Sequence, residues 1–118
     1  MKRVYRLKSH LTFQEVYSEG RSVANRAAVL YVLPQRQTSV SRIGFAAGKK
    51  LGKAVVRNRV KRRIRAVVHG IWPRVRPGLL LIVVARQSVK DMGFSPLQTA
   101  IEDLFKRAGV IQSEGSKP

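Results

Sequence analysis

The sequence predicts a single α+β domain in which helices pack on a small mixed sheet, and three observations support this class. The chain has 118 residues, of which 44% are hydrophobic, and this is enough to bury one modest core. Apolar segments of strand length occur beside segments whose apolar residues repeat with the period of a helix. The predicted order is helix, strands, helix, strand, helix. We expect one domain over residues 1–118, with residues from about 110 to 118 forming a frayed tail.

The first predicted element is a short helix over residues 13–18. Thr12 and Glu15 have the spacing of a capping box, in which each side chain satisfies a free backbone N–H at a helix start. Gly20 is expected to end the helix. One face of it carries Phe13, Val16 and Tyr17.

Two β-rich segments follow this helix. Residues 27–34 (AAVLYVLP) and Arg42–Ala47 (RIGFAA) predict strands, and the polar residues 35–41 between them predict a hairpin loop. Residues 22–25 predict a short additional strand. This part of the chain therefore predicts two or three neighbouring strands.

The next segment, residues 54–70, predicts a helix with one apolar and one basic side. The apolar stripe consists of Val56, Val60, Ile64 and Val67. The opposite side carries Asn58, Lys61, Arg62 and Arg65. Arg57, Arg59 and Arg63 flank the stripe, where long aliphatic stems allow the charged groups to bend outward.

The last elements are a buried strand and a helix. Pro73 is expected to break the basic helix, and the continuous apolar run Leu79–Ala85 predicts a strand covered on both faces. Ser95 is predicted as the N-cap of the final helix, with Pro96 at its first position and Gly109 at its end. The apolar stripe of this helix is Leu97, Ala100, Ile101, Leu104 and Phe105.

The charge is unusual for a folded protein of this size. Lys and Arg total 24 against 6 acids, which gives a net charge of +18, and residues 20–90 contain 17 basic residues and no acid. The stretch GKKLGKAVVRNRVKRRIR, residues 48–65, alone has nine. Ordinary solvated helices interleave Glu with Lys, whereas this one has only like charges. A nucleic acid is therefore the expected partner, and an anionic membrane fits less well because the helix offers mainly Val and Ile to lipid.

The chemistry open to the protein itself is narrow. Metal-dependent nucleases need clustered carboxylates, but the basic part of the chain has none, and the adjacent Glu102 and Asp103 point in different directions on a helix. His10 and His69 stand alone, and there is no Cys. These residues do not suit a metal site or a general base, so we expect neither a protein-bound metal nor a catalytic residue. The N-terminus has no apolar segment of signal-peptide type, and we therefore expect a cytoplasmic protein.

Two motifs leave alternatives open. GKKLGKA is similar to a phosphate-binding loop, but its glycines are one residue too close and Ala54 replaces the hydroxyl that would hold Mg²⁺, so we interpret it as a lysine-rich loop before an anion-favouring helix N-terminus. Phe13, Tyr17 and Tyr31 are either core residues or stacking platforms for unpaired bases. Spacing alone favours the core.

The segment KKLGKAVVRNRVKRRIR, with RLKSHLTFQEVYSEGRSVANRAAVLYVL and RIGFAAGKK upstream, resembles the arginine-rich RNR motif and its surroundings in the bacterial ribonuclease P protein family. The resemblance covers nearly the whole chain. It departs at Gly48, where a Ser is common, and at Lys53, where an Asn is frequent. It implies an αβββαβα fold similar to the second domain of a ribosomal S5-type protein, with a left-handed β-α-β crossover that the general rule for such connections would not predict.

The resemblance also implies a function. It makes the chain the accessory protein subunit of a ribonucleoprotein endonuclease that removes the 5′ leader of precursor tRNA, with catalysis and Mg²⁺ belonging to the RNA subunit and one protein per RNA. The implied contacts to the RNA subunit are Lys49, Lys50, Lys53, Arg57, Asn58, Arg59, Lys61, Arg62 and Arg65. The implied contacts to the leader are Phe13, Tyr17 and Tyr31, in place of the core role that spacing favours. A general RNA chaperone and a protein-only nuclease are the alternative hypotheses.

Overall fold

The computed structural model describes residues 6–7, 10–35 and 39–111, apart from the side chains of His10 and Leu11. The described elements are α1 (His10–Glu19), β1 (Arg21–Ala24), β2 (Ala28–Pro34), β3 (Arg42–Ala47), α2 (Ala54–Ile71), β4 (Leu79–Ala85) and α3 (Phe94–Arg107). This order confirms the predicted αβββαβα arrangement. Within the described residues, no helix has the length and apolar character needed to cross a membrane.

The four strands form one mixed sheet in the order β1-β2-β4-β3. β2 is antiparallel to both β1 and β4, whereas β3 is parallel to β4. The predicted hairpin between β2 and β3 is therefore wrong, because β4 lies between them. The apolar strand β4 takes the centre, where it can be covered on both faces and paired on both edges. The β3-α2-β4 connection is the crossover whose left-handedness stays a prediction.

The two described ends of the segment between β2 and β3 both hydrogen-bond to Gly78, which directly precedes β4. Gln35 donates a backbone hydrogen bond of 2.7 Å to the carbonyl of Gly78, and Gly78 donates one of 3.2 Å to the carbonyl of Ser39. Gly78 has a positive φ of 74°, which a glycine adopts without strain. Residues 36–38 of the predicted hairpin loop lie outside the described part of the chain.

The two faces of the sheet are covered by different helices. Alternate residues of β4 point to opposite faces. Leu81 and Val83 belong to a large core with α2 and α3, whereas Leu80 and Ile82 belong to a smaller cluster with Val16 of α1. The prediction of a strand covered on both faces is confirmed. Helix α1 thus lies on one side of the sheet, and α2 and α3 lie on the other.

The predicted apolar stripes of the two long helices form most of the larger core. In α2, Val60, Ile64 and Val67 are buried as predicted, whereas Val56 is only partly buried. All five residues of the stripe predicted for α3 are buried. The 3.6-residue period therefore identified the buried sides of both helices correctly.

Three predicted helix ends differ from the structure. Helix α1 begins at His10, so Thr12 lies inside the helix and the predicted capping box is wrong. Gly93, in an extended conformation, is the N-cap of α3 in place of Ser95. Pro96 then lies in the first turn, where it is tolerated because backbone N–H groups there have no helical partner. Pro73 does end α2, but a 3₁₀ helix, Trp72–Arg74, follows directly.

The C-terminal segment is ordered further than predicted. Gly109 ends α3 with a φ of 74°, as the sequence indicates. The next two residues, Val110 and Ile111, are buried, and Ile111 forms a β-bridge with Val75. The predicted tail therefore does not begin at residue 110, and residues 112–118 lie outside the described part.

Candidate nucleic-acid interface

The basic helix α2 starts in a loop that presents several lysines and free backbone N–H groups. A 3₁₀ helix, Lys49–Leu51, precedes it and is anchored by the buried Leu51. Gly52 follows with a φ of 132°, a conformation that residues other than glycine rarely adopt. Lys53 is the N-cap of α2 and makes no side-chain capping bond. The positive end of the helix dipole and three lysines therefore favour an anion at the same place.

The predicted RNA-contacting side chains form one basic surface along this loop and helix. Exposed members are Lys49, Lys50, Lys53, Asn58, Arg59 and Arg62, and partly buried members are Arg57, Lys61 and Arg65. The ion pairs found among the described residues join Glu102 and Asp103 of α3 to Arg74, Lys106 and Arg107, and none of them involves this surface. The basic surface therefore has no described carboxylate to neutralise it.

Arg65 is the centre of a cluster of like charges beside the edge strand β3. Its guanidinium lies 5.3 Å from the centroid of the Phe45 ring, an arrangement of cation–π type. Burial, and then the nearby charges of Arg6 and Arg62, lower the pKa of Arg65 below its ordinary value. The Nε atoms of Arg6, Arg57 and Arg65 are buried and have no hydrogen-bond partner in the described structure. A phosphate group beside the accessible parts of these guanidinium groups would supply a countercharge.

Arg63 has a different role from its neighbours on α2. Its Nη1 donates a hydrogen bond of 3.1 Å to the carbonyl of Val89, and its Nη2 donates one to the carbonyl of Met92. It thereby fixes the 3₁₀ helix Gln87–Asp91 against α2. This arginine was grouped with Arg57 and Arg59 by its position beside the apolar stripe, and its sequence position gives no sign that it points inward.

Three aromatic side chains lie together on the opposite side of the sheet. The rings of Tyr17 and Tyr31 meet edge to face at 4.9 Å between centroids, and Phe13 lies 6.4 Å from Tyr17. Phe13 and Tyr31 pack on the smaller cluster, which contains Val16, whereas 39% of Tyr17 is exposed. Burial, and then the nearby Tyr31, raise the pKa of Tyr17 and so favour its neutral hydroxyl. We call these three residues the aromatic cluster; its members both pack on the core and offer exposed ring surface.

A single strand separates the aromatic cluster from the basic surface. Gly44 and Phe45 are neighbours in the edge strand β3 and point to opposite faces. Phe13 lies over Gly44 on one face, and Arg65 lies over Phe45 on the other. The backbone of Arg6 forms a β-bridge with Ile43 of the same strand. An RNA bound around this edge could therefore contact both surfaces.

The residue that sequence reasoning missed here is Arg6, which no periodic pattern marked.

The remaining candidate groups are scattered. His69 is exposed on α2, and the side chain of His10 lies outside the described part. Over the described ranges, no group of three or more His, Cys, Asp or Glu side chains could hold a metal ion.

The sequence matches one protein family over nearly its whole length. The family model described as Ribonuclease P matches residues 1–109. The ribonuclease P protein component of Symbiobacterium thermophilum is 60% identical over 115 residues, which cover 98% of this chain and 100% of that protein. The corresponding protein of Geobacillus thermodenitrificans is 39% identical, with 98% and 95% covered.

Solved structures give the same result for the fold. The RNase P protein of Staphylococcus aureus aligns with a TM-score of 0.84 at 38% identity, covering 92% of this chain and 98% of that one. The RNase P protein of Thermotoga maritima aligns with a TM-score of 0.77 at 25% identity, covering 86% and 96%. Since the sequence, the order of elements and the fold all agree, the chain belongs to the ribonuclease P protein component family.

Proposed function

We propose that the basic surface of α2 binds the folded RNA subunit of ribonuclease P and that the aromatic cluster binds the single-stranded 5′ leader of precursor tRNA. Family membership makes the chain a subunit of this endoribonuclease, which processes the 5′ end of tRNA, and makes the RNA subunit its partner. The division of labour between the two surfaces is our proposal.

The unpaired basic surface is the observation that carries the first half of the proposal. Its cationic side chains lie along α2 and the loop before it, and they have no described carboxylate partner. Binding RNA releases counterions from the phosphates, and the free energy of this release is proportional to the number of phosphates contacted. Arginine predominates within the helix, and its planar group suits two-pronged contacts to phosphate.

The aromatic cluster supports the second half. Single-stranded RNA is recognised largely by stacking of unpaired bases on aromatic rings. Tyr17 offers exposed ring surface, and its contacts with Phe13 and Tyr31 hold it in one orientation. A mature tRNA has no leader, so this contact would favour the substrate over the product.

We place catalysis on the RNA subunit, with the protein as an accessory. The basic surface offers no carboxylate oxygen, which is the ligand type that Mg²⁺ prefers, so its residues do not fit a Mg²⁺ site. The ions are then held by phosphates of the RNA subunit and substrate. By reducing repulsion between the two RNAs, the protein would lower the Mg²⁺ concentration needed. We further propose one protein per RNA and a cytoplasmic location.

The experiment that tests the basic surface measures the affinity for the RNA subunit at several salt concentrations. Replacing the exposed Arg59 with Ala should weaken binding and reduce the slope of log affinity against log salt by about 0.7–0.9, the value for one phosphate contact. The control is Arg107→Ala, since Arg107 on α3 is paired with Asp103 at 3.8 Å. Equal slopes for the two variants would contradict the assignment of α2.

A competition measurement separates this proposal from a general RNA chaperone. A dedicated subunit should retain the RNA subunit in the presence of excess unrelated structured RNA. A general chaperone would lose it in proportion to the competitor. A protein-only nuclease would instead cleave the substrate without any RNA subunit.

A further inference from the structure

We propose that Gly44 is a positioning residue for leader recognition, because the missing side chain on β3 provides the space in which the ring of Phe13 lies. This inference rests on the proposed binding of the leader by the aromatic cluster. Gly44 itself would touch no RNA.

The close approach between Gly44 and Phe13 is the main observation. A Cβ atom built on Gly44 would lie 2.3 Å from Cζ of Phe13 and 2.8 and 3.2 Å from its two Cε atoms. Separations below 3.0 Å are essentially never seen for a real Cβ. All three atoms belong to the far end of the ring, so the tip of Phe13 rests directly on the strand backbone.

Backbone conformation does not account for the glycine at this position. Within the described chain, the glycines with positive φ are Gly52, Gly78 and Gly109, and Gly44 is not among them. Gly44 is buried in a regular strand that pairs with β4 throughout its length. Glycine is otherwise unfavourable in a strand, and a common reason for it is the close approach of another group.

The ring cannot avoid an added methyl group by a shift of the whole helix. Val16, one turn along α1 from Phe13, is completely buried against the sheet. Lifting α1 would therefore open the smaller core. The less costly response is a swing of the Phe13 side chain about χ1, because Cζ lies on the axis of ring rotation and would not be moved by χ2 alone. This swing moves the ring relative to Tyr17. A methyl group at residue 44 would thus change the aromatic cluster without changing any residue of it.

The test compares four variants in the reconstituted ribonuclease P holoenzyme: Gly44→Ala, Phe13→Leu, the double variant and Gly70→Ala. Gly70 is the control because a Cβ there meets nothing within 4 Å and the residue is exposed on α2. The readouts are the ratio of affinities for precursor and mature tRNA, the affinity for the RNA subunit and the Tm of the free protein.

We expect Gly44→Ala to lower the ratio of affinities by about fivefold, the lower bound for loss of one stacked base, and to lower the Tm. The affinity for the RNA subunit should stay unchanged, because Gly44 faces away from α2. In the double variant the shorter Leu leaves room for the methyl group. Its Tm should therefore return to that of Phe13→Leu, while its ratio stays low. Gly70→Ala should keep the ratio of the unaltered protein.

Three results would overturn the inference. The first is a ratio of affinities that Gly44→Ala leaves unchanged and Tyr17→Ala lowers. This result would refute the role of Gly44 but leave the leader-binding proposal intact. The second is a double variant whose Tm does not recover, since the obstacle would then not be the Phe13 ring. The third is an equal loss of affinity for both tRNAs and for the RNA subunit, which indicates general misfolding. If Tyr17→Ala also leaves the ratio unchanged, the proposed leader-binding function itself is refuted.

Discussion

Replacement of Tyr17 with Ala tests the aromatic cluster most directly. Tyr17 is 39% exposed on α1, and its ring contacts Tyr31 edge to face at 4.9 Å. The substitution removes the most exposed ring of the cluster and leaves Phe13 and Tyr31 in place. We expect it to weaken the binding of precursor tRNA and to leave the binding of mature tRNA unchanged.

The expected size follows from the stacking that Tyr17 can offer. Stacking of one base on an aromatic ring contributes about 1–3 kcal/mol, which corresponds to about 5- to 150-fold in affinity. Less than half of Tyr17 is exposed, and Tyr31 occupies part of its surface, so the lower end applies. We therefore predict a loss of about 5- to 10-fold. Loss of the aromatic pair should also cost about 0.5–1.5 kcal/mol of stability, or a few degrees in Tm.

The assay measures the affinity of the reconstituted holoenzyme for precursor and mature tRNA at one fixed salt concentration, well below the Tm. Tyr17→Phe is the first control, because it keeps the ring and should keep the selectivity. Phe94→Ala is the second, because Phe94 is an aromatic residue that is 51% exposed on α3, on the other side of the sheet. If Tyr17→Ala shows the precursor preference of the unaltered protein, or if Phe94→Ala loses as much, the aromatic cluster does not bind the leader.

Three further predictions concern stability. Arg63→Ala removes two hydrogen bonds that hold the 3₁₀ helix Gln87–Asp91, so it should destabilise the protein by about 2–3 kcal/mol in denaturant unfolding. It should not change the slope of log RNA affinity against log salt. A reduced slope would instead indicate that Arg63 contacts the RNA. The hydrogen bond from Arg74 lowers the pKa of Glu102, so the stabilisation from this bond should be present above the ordinary pKa of 4.5 and lost as the pH falls through the lowered pKa. Glu102→Gln should therefore be less stable than the unaltered protein at pH 7. A difference in Tm that is equally large at pH 3 and pH 7 would contradict this. Gly70→Ala should raise the Tm by a few degrees, because alanine is favoured over glycine by about 0.5–1 kcal/mol in a helix and the added methyl group meets no atom; a lower Tm would show a contact there.

The elements of this fold are predictable from local pattern, but their pairing is not. The apolar periods of α2 and α3 and the continuous apolar run of β4 reflect burial, and the structure confirms each of them. The hairpin prediction failed because strand order depends on which strand needs cover on both faces, a property of the whole sheet. The caps of α1 and α3 were misplaced because both helices begin before the residues that fit a capping pattern, at His10 rather than after Thr12 and at Phe94 rather than after Ser95.

The candidate site shows the same division. The basic side of α2 follows from a run of like charges at helical spacing. That Arg63 turns inward depends on the carbonyls of Val89 and Met92, which are distant in sequence, so no local pattern could distinguish it from Arg59. Likewise, Gly44 lies in an ordinary strand sequence, and only the position of Phe13 shows why a side chain is missing there.

Cleavage of a precursor tRNA at low millimolar Mg²⁺ tests the central claim most directly. The reaction is run with the protein alone, with the RNA subunit alone and with both together, and the position of the new 5′ end is mapped. We predict cleavage at the mature 5′ end only when both are present. Cleavage by the protein alone would contradict the placement of catalysis on the RNA, and equal cleavage by the RNA subunit with and without the protein would contradict its role as an accessory subunit.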